Sequence, residues 1–186
     1  METILEFSHR LLKTAAGEGD TVVDATVGNG HDTILLAHLV GDQGKVFGFD
    51  IQEQAIINTR KKLEDEGLTQ RVELLHQGHE TIHEVLRQET RLSATIFNLG
   101  YLPRGDKSII TLPSTTLQAF EGVLKRLKIG GIMVVVIYYG HPGGKEEKDA
   151  VEHYLSHLDQ KDFHVLKYKF INQKNNPPYI LAVERR

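Results

Sequence analysis

The stretch Val22-Val23-Asp24-Ala25-Thr26-Val27-Gly28-Asn29-Gly30-His31-Asp32-Thr33 decides the fold. Its β-branched opening reads as a buried strand, and the chain then turns through two glycines straight into a helix beginning at His31. Glycine suits such a turn because the backbone enters conformations that a Cβ resists and must lie close against a ligand. In an open α/β sheet, ligands sit outside the carboxyl ends of strands of this kind. A nicotinamide fingerprint would want a third glycine where Thr33 stands, to serve a pyrophosphate. The turn therefore reads as a cradle for a different ligand, with a plain tight turn as the alternative.

Outward from this stretch, apolar β-rich runs alternate with helical ones, the pattern of a parallel sheet covered on both faces. A leading helix is expected over residues 2–16. Strands are expected at Thr21–Ala25, Lys45–Asp50, Arg71–Leu75, Ala94–Asn98 and Gly131–Tyr138, the last a continuous apolar run that belongs at the centre. Helices are expected at His31–Val40, Glu53–Glu66, Thr81–Gln88, Leu112–Leu127 and Glu146–Leu158. Two final strands, Phe163–Ile171 and Tyr179–Glu184, are joined by a segment too short for a crossover helix, so they must form an antiparallel hairpin. The fold class is α/β: one doubly wound, seven-stranded, mostly parallel sheet, spanning residues 1–186 as one domain and ending in that hairpin.

The 186 residues carry a formal net charge of −3, against the basic balance expected of a non-specific nucleic-acid coat. Local basic clusters remain, at Arg60–Lys62, at Lys125–Lys128 and along residues 160–186. With no cysteine, disulfides, thiolate metal sites and a cysteine nucleophile are excluded, and a reducing cytoplasm is the expected setting. No apolar run approaches the roughly 20 residues needed to span a bilayer, and the first residues lack a secretory pattern. The histidines at helix-like spacings have no carboxylate pattern beside them, so no metal site is expected.

Further positions join the glycine turn. Asp50 falls twenty places after Gly30 at the end of the second strand, where a carboxylate accepts two hydrogen bonds from a ribose diol; a helix cap is the alternative. Ile51 and Gln52 follow it. His79 and Glu80, after the third strand, stand where this fold places residues beside an adenine, or simply where a helix begins. The fourth strand ends in Asn98-Leu99-Gly100-Tyr101. The segment Asn176-Pro177-Pro178-Tyr179 reads as turn chemistry with a substrate-edge role as its alternative.

The turn resembles motif I of class I methyltransferases, with Thr26 in place of the first glycine. The whole chain is similar to a family labelled as rRNA methylases, whose characterised members are bacterial tRNA wobble-uridine methyltransferases. The segments DATVGNGHDT, FDIQ, QGHE, FNLGYLPRGDK and YYGHPGGKEE carry that resemblance. It implies S-adenosylmethionine (SAM) as cofactor, held by Asp24, Thr26, Gly28, Asn29, Gly30, Asp32, Thr33, Asp50, Ile51, Gln52, His79, Glu80 and Asn98. It implies methyl transfer to the primary amine of 5-aminomethyl-2-thiouridine at tRNA position 34, with the anticodon stem-loop as partner. Asn98, Leu99, Gly100 and Tyr101 would line up the amine. Arg10, Tyr138, Tyr139, His141 and Lys145 would meet the nucleoside and its phosphates, since a flipped base needs flat surfaces to stack on. Leu99 and Gly100 stand where amino-methylating enzymes often carry two prolines, which argues against an exocyclic base amine. An rRNA or a small-molecule amine is the alternative substrate, and a homodimer is expected for so small a domain.

Overall fold

The computed structural model describes residues 1–100 and 110–186. Seven strands form one sheet: β1 (Thr21–Asp24), β2 (Lys45–Phe49), β3 (Val72–Leu75), β4 (Leu92–Leu99), β5 (Leu127–Ile137), β6 (Phe163–Tyr168) and β7 (Tyr179–Arg185). Their spatial order is β3-β2-β1-β4-β5-β7-β6. The first five pair in parallel, whereas β7 is antiparallel to both β5 and β6. The expected doubly wound sheet with a terminal hairpin is the fold.

Among the described residues, six α-helices accompany it: α1 (Ile4–Ala15), α2 (His31–Val40), α3 (Glu53–Asp65), α4 (Ile82–Val85), α5 (Pro113–Leu124) and α6 (Gly144–Ser156). The period of two in β5 explains the two-layer core. Met133, Val135 and Ile137 join Phe120, Val123, Val151 and Leu155 of α5 and α6. Ile132, Val134 and Val136 face Phe7 and Leu12 of α1 and Leu36 and Val40 of α2. A strand buried on both faces must be apolar throughout, as the sequence requires. At the start of α1, a capping box fixes the helix: Thr3 Oγ1 accepts from Glu6 N and the Glu6 carboxylate accepts from Thr3 N.

Several elements depart from expectation: α4 covers only Ile82–Val85 of the expected Thr81–Gln88, and α5 stops at Leu124 short of the expected Leu127. β5 starts at Leu127 rather than Gly131, because Leu92 pairs with Leu127 and Ala94 with Ile132, the register shift between them leaving Ile129 and Gly130 exposed. β6 ends at Tyr168 instead of Ile171. Its next partners beyond Tyr179 would be Pro178 and Pro177, which have no N–H to donate to a ladder.

The chain runs outward from β1 to β3 and returns to β4 on the other side of β1. Between β1 and β4 lies the switch point where the strands' carboxyl ends open a crevice. Gly30, at φ 78°, delivers the turn onto α2 there. A Cβ on it would lie 2.5 Å from Thr59 Oγ1. Gly30→Ala is therefore expected to cost about 1–3 kcal/mol of stability, read as a lower thermal midpoint, and an unchanged midpoint would contradict this packing.

Candidate cofactor and acceptor cleft

The crevice is a cleft of about 870 Å³. On one wall the β1–α2 turn and the end of β2 are stitched together. Gly28, at φ 51°, donates its N–H to Asp50 Oδ2 at 2.8 Å, and Gln52 donates its N–H to Asp50 Oδ1 at 2.8 Å. An ionised carboxylate offers about four lone-pair sites. Two are used by these backbone groups, so acceptors remain on the side of Asp50 that lines the cleft. Ile51, an apolar side chain 52 % exposed, lies beside it on the same wall. Acceptors for a diol next to an uncovered apolar surface suit an adenosyl group, its sugar on Asp50 and its base against Ile51.

Gly78, His79 and Glu80 border the same cavity. The Glu80 carboxylate folds back over Gly78, in the space a Cβ there would take. His79 is buried, and its Nδ1 donates to the Ala25 carbonyl at 3.1 Å. Burial holds this ring's pKa down, so it stands as a neutral imidazole. Each of the nearby histidines is engaged by backbone, His76 with the Ile51 carbonyl and His83 with that of Glu80.

The opposite wall is the end of β4. Asn98 donates its backbone N–H to Thr26 Oγ1 at 2.7 Å and its side-chain Nδ2 to Asp32 Oδ2 at 2.8 Å. Gly100, at φ 146°, is held on both sides by Thr111: its N–H donates to Thr111 Oγ1 and its carbonyl accepts from Thr111 N. Thr111 Oγ1 in turn donates to Glu147 Oε2, and Thr116 Oγ1 to Glu147 Oε1. Burial raises the pKa of Glu147, against these hydroxyl bonds. The Leu99 carbonyl accepts from Tyr138 N. Tyr138 and His141 complete this side of the cleft.

Thr26, Gly28, Asn29, Asp32, Asp50, Ile51, Gln52, His79, Glu80, Asn98, Gly100, Tyr138 and His141 thus share one cavity. Other expected residues do not reach it, among them Gly30, which is buried behind the lining residues Gly28 and Asn29 and shapes the turn from there. Asp24 and Thr33 lie fully buried beneath the turn, joined by a 2.6 Å bond from Thr33 Oγ1 to Asp24 Oδ2, and so support the turn from below. Leu99 points into the core between α5 and the sheet. Tyr139 packs edge-on against Tyr179 with Lys148 and Lys169 near its ring, outside the cleft. Lys145 pairs with Asp149, and Arg10 with Glu2 while lying over Phe7. Tyr101 lies outside the described residues.

Some lining residues carried no sequence signal, among them Leu5 and Thr115. Asn176 did carry one: it lines the cleft at φ 51°, so the Asn-Pro-Pro-Tyr turn reaches the site's edge. His9 was also missed. Its Nε2 lies 2.7 Å from Asp32 Oδ1.

Asp24 sets a pH test. Its pKa is pushed up from 3.8 to about 7 by burial first and by the charge of Asp32 next, against the bonds from Thr33 and Thr26. The folded chain thus holds a proton that the unfolded chain releases near pH 4. Stability from this group is therefore full below about pH 4, falls as pH rises to about 7, and is level above. Asp24→Asn is expected to flatten that decline, seen in thermal midpoints at pH 5 and pH 8. An unchanged slope would contradict it.

The comparisons with known proteins agree with this geometry. Residues 46–184 match the family model described as "Putative rRNA methylase". The chain is 38 % identical over 97 % of its length to the chloroplastic tRNA (mnm5s2U34)-methyltransferase of Arabidopsis thaliana, covering 69 % of that protein. It superposes on a putative rRNA-methylase from Clostridium thermocellum with a TM-score of 0.97 and 49 % identity, over 100 % of this chain and 99 % of that one. A putative methyltransferase from Streptococcus mutans, solved in complex with SAH, gives a TM-score of 0.92 at 42 % identity over the same shares. With the fold, the cleft and these relatives in agreement, the chain belongs to the rRNA methylase family of class I SAM-dependent methyltransferases.

Proposed function

We propose that the chain methylates the primary amine of 5-aminomethyl-2-thiouridine at the wobble position of tRNA, giving 5-methylaminomethyl-2-thiouridine. The observation that carries this reading is the Asn98 amide at the tip of β4, tethered to Asp32 within the same cleft as Asp50. A polar, uncharged group at this point suits a nucleophilic nitrogen meeting the cofactor. The name of the Arabidopsis relative supports the choice of nucleoside. At about 870 Å³ the cleft stands near the upper end of ligand sites, with room for a cofactor and a flipped nucleoside.

Bound SAM supplies a methyl group on a cationic sulfur, so that a C–N bond forms as the C–S bond breaks and the sulfur leaves as a neutral thioether. The chain's own residues bind, orient and exclude water. Asp50 would hold the ribose, Ile51 and His79 would flank the adenine, and the Gly28–Gly30 turn would let the ligand lie close to the backbone. An alkyl amine with a pKa near about 10 must lose its proton before it attacks. A desolvated cleft favours that neutral form. Tyr138 and His141 supply flat surfaces for the uridine ring.

The partner under this reading is the anticodon stem-loop, and the setting is the cytoplasm. The test is mass spectrometry of nucleosides after incubating unmethylated tRNA, or an rRNA control, with protein and SAM. The expected result is one added methyl on the wobble nucleoside alone. Methyl gain only on rRNA, or none on tRNA, would overturn the substrate.

A further inference from the structure

Three side chains from three elements form one chain at the tip of β4. His9 of α1 reaches Asp32 Oδ1 at 2.7 Å, and Asp32 Oδ2 accepts from Asn98 Nδ2 at 2.8 Å. The carboxylate is shielded, its side chain 12 % exposed and that of His9 25 %. An ionised carboxylate only accepts, so both neighbours must donate, His9 through Nε2–H and Asn98 through its NH₂.

That requirement fixes the direction of the Asn98 amide. Nitrogen and oxygen stand on opposite arms of a planar group, so committing the nitrogen to Asp32 leaves the oxygen for the cleft that Asn98 lines. An amide turned the other way would offer hydrogens to a nitrogen that needs an acceptor. The neighbouring backbone carbonyls already accept, Leu99 from Tyr138 N and Gly100 from Thr111 N. An uncompensated Asp32 would do further harm: a bare carboxylate there would favour the ammonium form of an amine, which has no lone pair to attack with.

We propose that His9 is a positioning residue for the transfer: by donating to Asp32 it fixes the carboxylate that turns the Asn98 amide oxygen toward the acceptor amine. The inference rests on the amine reading of the preceding section. His9 is not among the residues lining the cleft, so it acts through two other side chains.

The test is a double-mutant cycle on methyl transfer to tRNA, with a second readout that needs no turnover. His9→Ala is expected to lower kcat roughly 10- to 100-fold, leaving the Kd for SAM and the thermal midpoint close to wild type. His9→Gln, whose amide can still donate to Asp32, recovers most of that loss. In an Asn98→Ala background, His9→Ala has no further effect, because the group it orients is gone. Full multiplication of the two losses overturns the proposal, as does equal damage from His9→Ala and His9→Gln. Independently, ¹⁵N spectra of histidine-labelled protein without ligands should show a proton on His9 Nε2 and a shift of that resonance on Asp32→Asn. A His9 ring protonated only on Nδ1, or indifferent to Asp32→Asn, refutes the clamp. Should wild type leave wobble uridine unmethylated, the substrate reading falls while the spectra still decide the clamp.

Discussion

Asp50→Ala is expected to weaken SAM binding about 100-fold or more while the sheet stays folded. The carboxylate does two jobs at once. It accepts the Gly28 and Gln52 N–H groups, which fixes the turn against the end of β2, and it keeps acceptors facing the cleft. Hydrogen bonds to a charged group contribute about 1.5–3 kcal/mol each. Two lost to a ribose diol come to about 3 kcal/mol at the low end, a little over a hundredfold in Kd. The loosened turn adds to the loss. Asp50→Asn, which keeps one acceptor oxygen, should fall between. Calorimetric titration of each variant reads this directly, and a Kd within about threefold of wild type for Asp50→Ala would refute the assignment.

The second large effect lies on the acceptor side. Asn98→Ala is expected to lower kcat about 100-fold with the Kd for SAM changed by less than about threefold, because misplacing a reacting group by an ångström costs on this scale. The backbone bond from Asn98 N to Thr26 Oγ1 survives the substitution, so the strand end keeps its place. Asn98→Asp should be as damaging. It removes the donor to Asp32 and sets two carboxylates side by side, where like charges raise one another's pKa. Steady-state kinetics on tRNA decide the matter, with unimpaired turnover in Asn98→Ala removing the role.

The sheet was readable because its signals are local. β1 runs into a glycine turn, β5 is apolar for its full buried length, and the connection between β6 and β7 is too short for a helix. The strand ends were less so, since the early end of β6 depends on prolines ten residues away that pair across the hairpin. Within the cleft, the place of Asp50 was legible from its spacing after the glycine turn, while the other turn residues were expected from the family resemblance. Side chains brought in from distant elements were not legible by spacing. Arg10 was expected from the resemblance to meet the substrate, yet it faces Glu2, while its neighbour His9 makes the contact to Asp32, 23 residues away. Neither position carries a motif, because the pairing arises only once α1 lies across β4 and β5. Tyr139 looked like a stacking surface, but the hairpin's Tyr179 covers its edge. Asn176 shows the converse: a turn sequence distant along the chain reaches the cleft because β7 lies beside β5.

Everything said of the cleft depends on the wall made by Gly28, Asn29 and Asp50 receiving an adenosyl group. Titration of the wild-type protein with SAM, SAH and NAD measures that most directly. Saturable heat with SAM and SAH at a Kd near about 1–10 μM, roughly −7 to −8 kcal/mol, and none with NAD is the predicted result. No heat from SAM or SAH up to millimolar concentration would contradict it.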